Sequence, residues 1–235
     1  PIAEMDHHVL HIDRQNRLPI LVDLSSAPGR TVIFTRTKHG AKALAGQLNR
    51  NGVPTVDLHG NLSQGARTRN LAAFSAGRAT ALVATDIAAR GIHVDDVALV
   101  VHADPPAEHK AYLHRSGRTA RAGNAGTVVT LMTSEQARDV RQLTRDAGIN
   151  PTTTRVDSAS HPMLTTLAPG ARELPGALVE MAPKPQQQRS GGGGANRTGN
   201  RTGNRTGNPN AAGNRNRNAG RNRGRGGQQR NVSAG

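Results

Sequence analysis

The sequence predicts an α/β domain, a parallel sheet sandwiched between helices, followed by a disordered basic tail. Three observations carry that prediction. Short apolar runs alternate with amphipathic stretches of helical period as far as Ala147, the pattern of repeated strand–helix–strand units. The runs themselves show little polar alternation, as expected of strands covered on both faces. From Lys184 onward the composition changes abruptly and the apolar pattern stops.

The elements follow in order. Val9–Ile12 reads as a first strand and Asn16–Leu24 as a helix. Thr31–Thr35 (TVIFT) is a short apolar run of the buried-strand type. Lys38–Arg50 places Ala41, Leu44, Ala45 and Leu48 at i, i+3, i+4 and i+7, one face of a helix. Asn51-Gly52 ends it with a residue tolerant of positive φ. Val53–Leu58 is the next strand. Ser63 caps a helix running to Phe74, and Gly77 closes it. Thr80–Ala84 is a strand and Asp86–Arg90 a short helical turn. Val97–Val101 (VALVV) is another buried strand, Glu108–Arg115 a helix, Thr127–Met132 a strand, and Ser134–Ala147 a helix capped by Ser134. Crossovers between such strands are right-handed. The domain spans residues 1–157. Residues 158–183, rich in Pro, Thr and Ala, read equally as a docked extension or a linker.

Composition sets limits on function. Hydrophobic residues other than Gly make up 34% of the 235 residues and aromatic residues 1%. They are scarce in the tail. Residues 184–235 hold 13 Gly, 10 Asn and 11 of the 31 basic residues, with no Asp or Glu, so the rest of the chain has 20 basic against 16 acidic residues. Asn196–Asn208 repeats RTGN three times. Such a segment cannot bury enough apolar surface to offset its ordering entropy. Its N-R-T triplets match a glycosylation acceptor and are a by-product of the repeat. Cysteine is absent, which excludes disulfides and thiolate chemistry. No run of 18 apolar residues exists, and the start at Pro1 lacks a basic-then-apolar signal pattern; a cytoplasmic protein is expected.

The usual nucleotide fingerprints are missing. There is no GxxxxGK[ST] loop and no D-E-x-D cluster to hold magnesium. Three Arg-bearing turns stand out instead. In His114-Arg115-Ser116-Gly117-Arg118-Thr119-Ala120-Arg121, Gly117 permits a tight turn. Arg118 and Arg121, three apart, share one side of a helical turn. Two planar guanidiniums converging on one point suit a phosphate, and a solvated basic face fits the same spacing. Thr85-Asp86 follows a buried strand, where α/β sheets present their ligand-binding ends, and could equally be a helix N-cap. His59-Gly60-Asn61-Leu62-Ser63-Gln64-Gly65-Ala66-Arg67 opens a helix whose N-terminus favours anions.

Together these segments resemble the C-terminal RecA-like lobe of DEAD-box RNA helicases, over roughly residues 1–150 and in the family's order. VIFTRT at 32–37 looks like motif IV, Gln64-Gly65-Ala66-Arg67 like the QxxR motif, ATDIAARG at 84–91 like motif V, and HRSGRTAR at 114–121 like motif VI. The resemblance implies that Arg118 and Arg121 act as arginine fingers on the ATP phosphates. It implies that His114 and Arg115 contact the partner lobe, and that Arg67 and Thr85 hold RNA phosphates, with Gly60 offering a backbone N–H to the same strand. Magnesium and the phosphate loop would come from an N-terminal RecA-like lobe of the same protein. At the end of motif V the family's Asp, which contacts the ATP ribose, is replaced by His93. A His can hydrogen-bond a hydroxyl, with its own pH dependence; Asp95 and Asp96 also stand nearby.

Other candidates are structural. The histidines of Val9–Ile12 and just before it alternate as exposed strand positions do and complete no metal site, so no metal is expected. Phe34 and Phe74 belong to the core, and Tyr112 packs. The tail resembles the Arg/Gly-rich tails of this family. Without aromatics it cannot stack bases, so its RNA binding is electrostatic. The expected function is the C-terminal half of an ATP-dependent RNA helicase acting on duplexes locally, inactive as an isolated chain. The alternative is a non-enzymatic RNA-binding or RNA-chaperone module with a helicase-like fold. Arg118 and Arg121 argue against it, since a module freed of ATP has no use for them.

Overall fold

In the computed structural model the described residues are 5–90, 97–119 and 126–178. They belong to the first of two units in the chain, residues 1–183, the second being residues 184–235. Seven strands form one sheet: β1 (Met5–Ile12), β2 (Arg30–Phe34), β3 (Thr55–Leu58), β4 (Ala81–Ala84), β5 (Val97–His102), β6 (Gly126–Met132) and β7 (Thr152–Val156). Their order is β3-β4-β2-β5-β6-β1-β7, and every pairing is parallel. The helices are α1 (Arg17–Ser25), α2 (Lys38–Arg50), α3 (Gln64–Ser75), α4 (His109–Ser116), α5 (Ala137–Asp146) and α6 (Pro162–Leu167). This is the RecA-like α/β sandwich.

The unbroken apolar runs are explained by two cores, one on each face of the sheet. Ile33, Val83, Val101 and Val129 face one core with Leu21 and Leu24 of α1 and Leu44 and Leu48 of α2. Their chain neighbours Val32, Phe34, Leu82, Val100 and Val128 face the other with Phe74 of α3. Side chains alternate faces along a strand, so a strand covered on both sides must be apolar at both parities. Fully burying a Leu or Phe is worth about 1.5–3 kcal/mol, which makes these two layers the main source of stability.

Local signals behave as their chemistry requires. Thr37 caps α2, accepting from the Gly40 N–H at 3.0 Å, and Ser63 caps α3, accepting from the Ala66 N–H at 3.2 Å. Gly52 follows α2 with φ of 90°, a conformation that costs a side chain dearly. Ser134 is not the cap of the helix after β6. A short 3-10 turn, Ser134–Gln136, precedes α5, and the residue before it, Thr133, is bridged by its N–H to the Gln136 Oε1 at 3.0 Å. The Ser134 hydroxyl instead meets the Nε2 of His11 at 2.9 Å.

Residues 158–178 lie docked on the domain. Leu164 and Leu167 of α6 enter the same core as α1. Arg172 forks onto Asp23 at 3.0 and 2.8 Å, and the Leu178 N–H reaches the Asn49 Oδ1 at 2.9 Å.

Candidate functional site

In a parallel sheet all strands end at one edge, and ligands of open α/β sheets bind in the crevice beyond it. The loops that leave β3, β4, β2 and β5 there come from four neighbouring strands; those after β3 and β4 carry two of the Arg-bearing turns, and the third begins in the last turn of α4. After β4, Thr85 donates its N–H to the Leu58 carbonyl at 3.2 Å, and the chain folds into a turn closed by Ala89 N–H to Thr85 O at 3.0 Å. Thr85 and Asp86 are half-buried; Ile87 is 78% exposed.

Arg115, at the last turn of α4, anchors this turn. Its side chain is only 2% exposed. Nε and Nη2 fork onto the two Asp86 oxygens at 2.5 and 2.7 Å, and Nη1 donates to the Asp104 carbonyl at 2.8 Å. The guanidinium also lies 5.2 Å from the centroid of the Phe34 ring. A buried charge is tolerated only when paired and hydrogen-bonded, and Arg115 satisfies both conditions by joining α4 to the loops after β4 and β5 and to the end of β2. Its partners among the described residues are Asp86, the Asp104 carbonyl and the Phe34 ring. The Thr119 hydroxyl donates to the Val97 carbonyl at 2.7 Å, fixing the turn after α4.

A cavity of about 400 Å³ lies between the β4 turn and α4, lined by Asp86, Arg90, Lys110, His114, Arg115 and Arg118, among others. The structure therefore brings His114, Arg115 and Arg118 to one place. Glu108 lines it too, and once Asp86 and Arg115 are set against each other, Arg90, Lys110 and Arg118 still outnumber Glu108, so the cavity suits an anion. His93 and Arg121 lie outside the described residues.

Gly60, Arg67 and Thr85 lie apart from that cavity, on the loops after β3 and β4 and the first turn of α3. Gly60 is exposed, and a Cβ added to it would meet nothing within 4 Å. Beneath it, His59 is fixed from both sides. Its Nδ1 accepts the Asn61 N–H at 3.3 Å and its Nε2 meets Asp57 at 2.9 Å. That arrangement puts the ring proton on Nε2. The Lys38 ammonium donates to the Asn61 Oδ1 at 3.0 Å. Lys38 was not singled out in the sequence, and Asn61 and Asp86 entered only as members of their turns, Asp86 as a candidate helix cap. Their shared signal was position, just past the ends of β2, β3 and β4.

Behind the site sits a buried polar cluster. His102 is fully buried, its Nδ1 3.0 Å from the Thr130 hydroxyl, and its Nε2 has no hydrogen-bond partner among the described residues. Burial holds its pKa well below the usual histidine value, with the Arg115 charge pushing the same way. Tyr112 stacks edge-on to His102 at 4.8 Å and meets the His7 Nδ1 at 3.1 Å. Burial likewise lowers His7 and raises Tyr112. Tyr112, wholly buried, packs and offers no stacking face. Among the described residues no group of three potential ligands could hold a metal, and no helix is long and apolar enough to cross a membrane.

Comparison with known proteins places this architecture. Residues 13–123 match the helicase conserved C-terminal domain. The DEAD-box ATP-dependent RNA helicase 7 of Oryza sativa is 37% identical over 172 residues, covering 72% of this chain and 23% of that protein. The solved structure of the E. coli DEAD-box protein SrmB bound to regulator of ribonuclease activity A is 32% identical with a TM-score of 0.58, and the match covers 70% of this chain and 94% of that one. S. cerevisiae Dbp5 bound to RNA and ADP BeF3 superposes with a TM-score of 0.61 at 26% identity, over 72% of this chain and 46% of that one. Fold, motifs and relatives define a helicase C-terminal lobe. The chain belongs to the DEAD-box RNA helicase family. It spans less than a quarter of the length of the plant relatives it matches.

Proposed function

We propose that the chain is the C-terminal half of an ATP-dependent RNA helicase that opens short duplexes locally. The observation that supports this best is the cation-rich cavity that gathers His114, Arg115 and Arg118 beside the Asp86 turn. A solved relative in complex with RNA and ADP BeF3 supports the same pair of ligands. In this reading Arg118 and Arg121 reach the ATP phosphates, His93 meets the ribose, and His114 faces the partner lobe. A partner RecA-like lobe of the same protein supplies the phosphate loop and the carboxylates for magnesium. During attack of water on the γ-phosphate, negative charge spreads over its oxygens. Guanidiniums placed there stabilise the transition state more than the ground state.

Gly60, Arg67 and Thr85 take RNA phosphates. The two ligands are coupled through adjacent residues. Thr85 touches RNA while Asp86 grips Arg115, three residues before Arg118. An RNA-driven shift of the β4 turn is therefore passed to the arginine that faces ATP, a two-site coupling through one rigid fork. The isolated chain lacks half of each site. Purified residues 1–235 should give no RNA-stimulated phosphate release, and the two-lobe protein should give it. Turnover by the chain alone overturns the half-site reading, and none by the two-lobe protein overturns the helicase reading.

A further inference from the structure

A second electropositive surface lies outside the cavity and loops described above. A groove of about 830 Å³ runs between α5 and the β1–β7 end of the sheet. Arg138, Arg141 and Arg145 line it from α5, with His11, Asn150 and Thr153 opposite. The three arginines stand at i, i+3 and i+7 and are exposed. None of them forms an ion pair with a carboxylate among the described residues; Arg141 turns back on the Ala137 carbonyl at 3.0 Å, and Arg145 reaches the Gln142 Oε1 at 3.2 Å. The carboxylates of α5, Asp139 and Asp146, line a different depression on the other side of the helix.

Like charges at i, i+3 and i, i+4 repel along the arginine face. Asp139 in the first turn and Arg145 in the last suit the helix dipole, so the charges of α5 are sorted by flank, the arginines toward this groove and the carboxylates away from it. The groove has an apolar floor of buried Val9, Met132 and Val140 with half-buried Ala137, Ile149 and Pro151 beside it. Its rim presents guanidinium, amide and hydroxyl donors.

We infer that the α5 groove is an RNA-backbone site that holds a strand flanking the one in the cleft. Seven residues of helix rise about 10 Å, and along that length the three long side chains each offer one guanidinium to the backbone of a strand. Phosphate binding of this type carries no sequence preference. The inference rests on RNA being the ligand of this chain, as proposed above.

The test uses the full chain and a fluorescein-labelled hairpin with a single-stranded arm, titrated by anisotropy across a salt series. Arg138→Gln/Arg141→Gln/Arg145→Gln keeps good helix formers. It should reduce the slope of log K against log salt by about 2, at about 0.7 for each of the three phosphates no longer neutralised, and weaken binding about tenfold at the lowest salt. The matching triple Lys variant should keep the parent slope, because it keeps the charge. Asp139→Asn/Asp146→Asn, on the opposite flank, should also keep it. Should the Gln variant fail to fold, hydrogen exchange on the parent decides, with slowed exchange in α5 on adding RNA as the expected result. Parent-like binding by a folded Gln variant, or unprotected α5, overturns the inference. So does binding of polyglutamate that the Gln variant loses while RNA binding is unchanged, which would make the groove a protein-docking surface. A parent chain that binds no RNA at all contradicts the functional reading instead.

Discussion

Replacing Asp86 by Asn tests the anchor of the site. The change keeps the shape and one acceptor but removes the charge that balances Arg115. The guanidinium, 2% exposed, is left with an amide oxygen, the Asp104 carbonyl and the face of Phe34. Breaking a fully buried pair costs about 3–5 kcal/mol. Asp86 is 36% exposed, so water recovers part of that loss, and about 2–3 kcal/mol is expected. For a domain of this size each kcal/mol moves Tm by about 2–4 °C, which gives a fall of roughly 4–12 °C. Arg115→Leu leaves Asp86 free to hydrate and should cost about 2 kcal/mol. The double variant should cost clearly less than the sum, the sign of direct coupling. Urea unfolding followed by circular dichroism measures all three, with an unchanged m-value as the check on two-state behaviour. A loss below about 0.5 kcal/mol for Asp86→Asn, or strict additivity, would refute the anchor.

That pairing was invisible in the sequence because 29 residues separate its partners, and nothing local announces which carboxylate a buried arginine finds. Elements were legible where local chemistry agrees with tertiary demand: α2 begins and ends where its period and caps put it, and Ser63 caps α3. Legibility failed where the environment departs from a two-sided core. β7 (TTTRV) lies at the sheet edge with mostly exposed side chains, so it carries no apolar run. β1 starts at Met5, not Val9, because its histidines are tolerated beside Tyr112 and Ser134. The docking of residues 158–178 depends on Asp23 and Asn49, more than 100 residues upstream. The site itself was legible as a set of Arg-bearing loops. Its assembly needed the strand order, which periodicity does not encode.

Three further outcomes are expected. His102 is held neutral by burial, so its folded pKa lies below the unfolded value near 6.5. The unfolded chain then binds the extra proton first, and stability falls as pH drops below about 6.5, by up to about 1.4 kcal/mol per unit from this group. His102→Asn should flatten that part of the stability-against-pH curve relative to the parent, and parallel curves between about pH 7.5 and 5.5 would contradict it. Gly60→Ala, with open space for its Cβ, should leave urea stability within about 0.5 kcal/mol yet weaken RNA binding, because the added methyl blocks backbone approach; unchanged affinity removes Gly60 from the RNA site. Deleting residues 184–235 should leave the domain folded. If half of the tail's 11 charges engage, the salt slope of RNA binding flattens by roughly 4, and an unchanged slope makes the tail a solubilising linker.

The central claim is that motif VI supplies arginine fingers to ATP. Single-turnover hydrolysis by the two-lobe protein, at saturating RNA and beside an RNA-binding titration, tests it most directly. Arg118→Ala and Arg121→Ala should each lower the hydrolysis rate on the order of 10³–10⁵-fold while RNA affinity stays near the parent's. Lys should rescue poorly, since an ammonium cannot make the planar two-donor contact. Hydrolysis at the parent rate by both Ala variants would contradict the account.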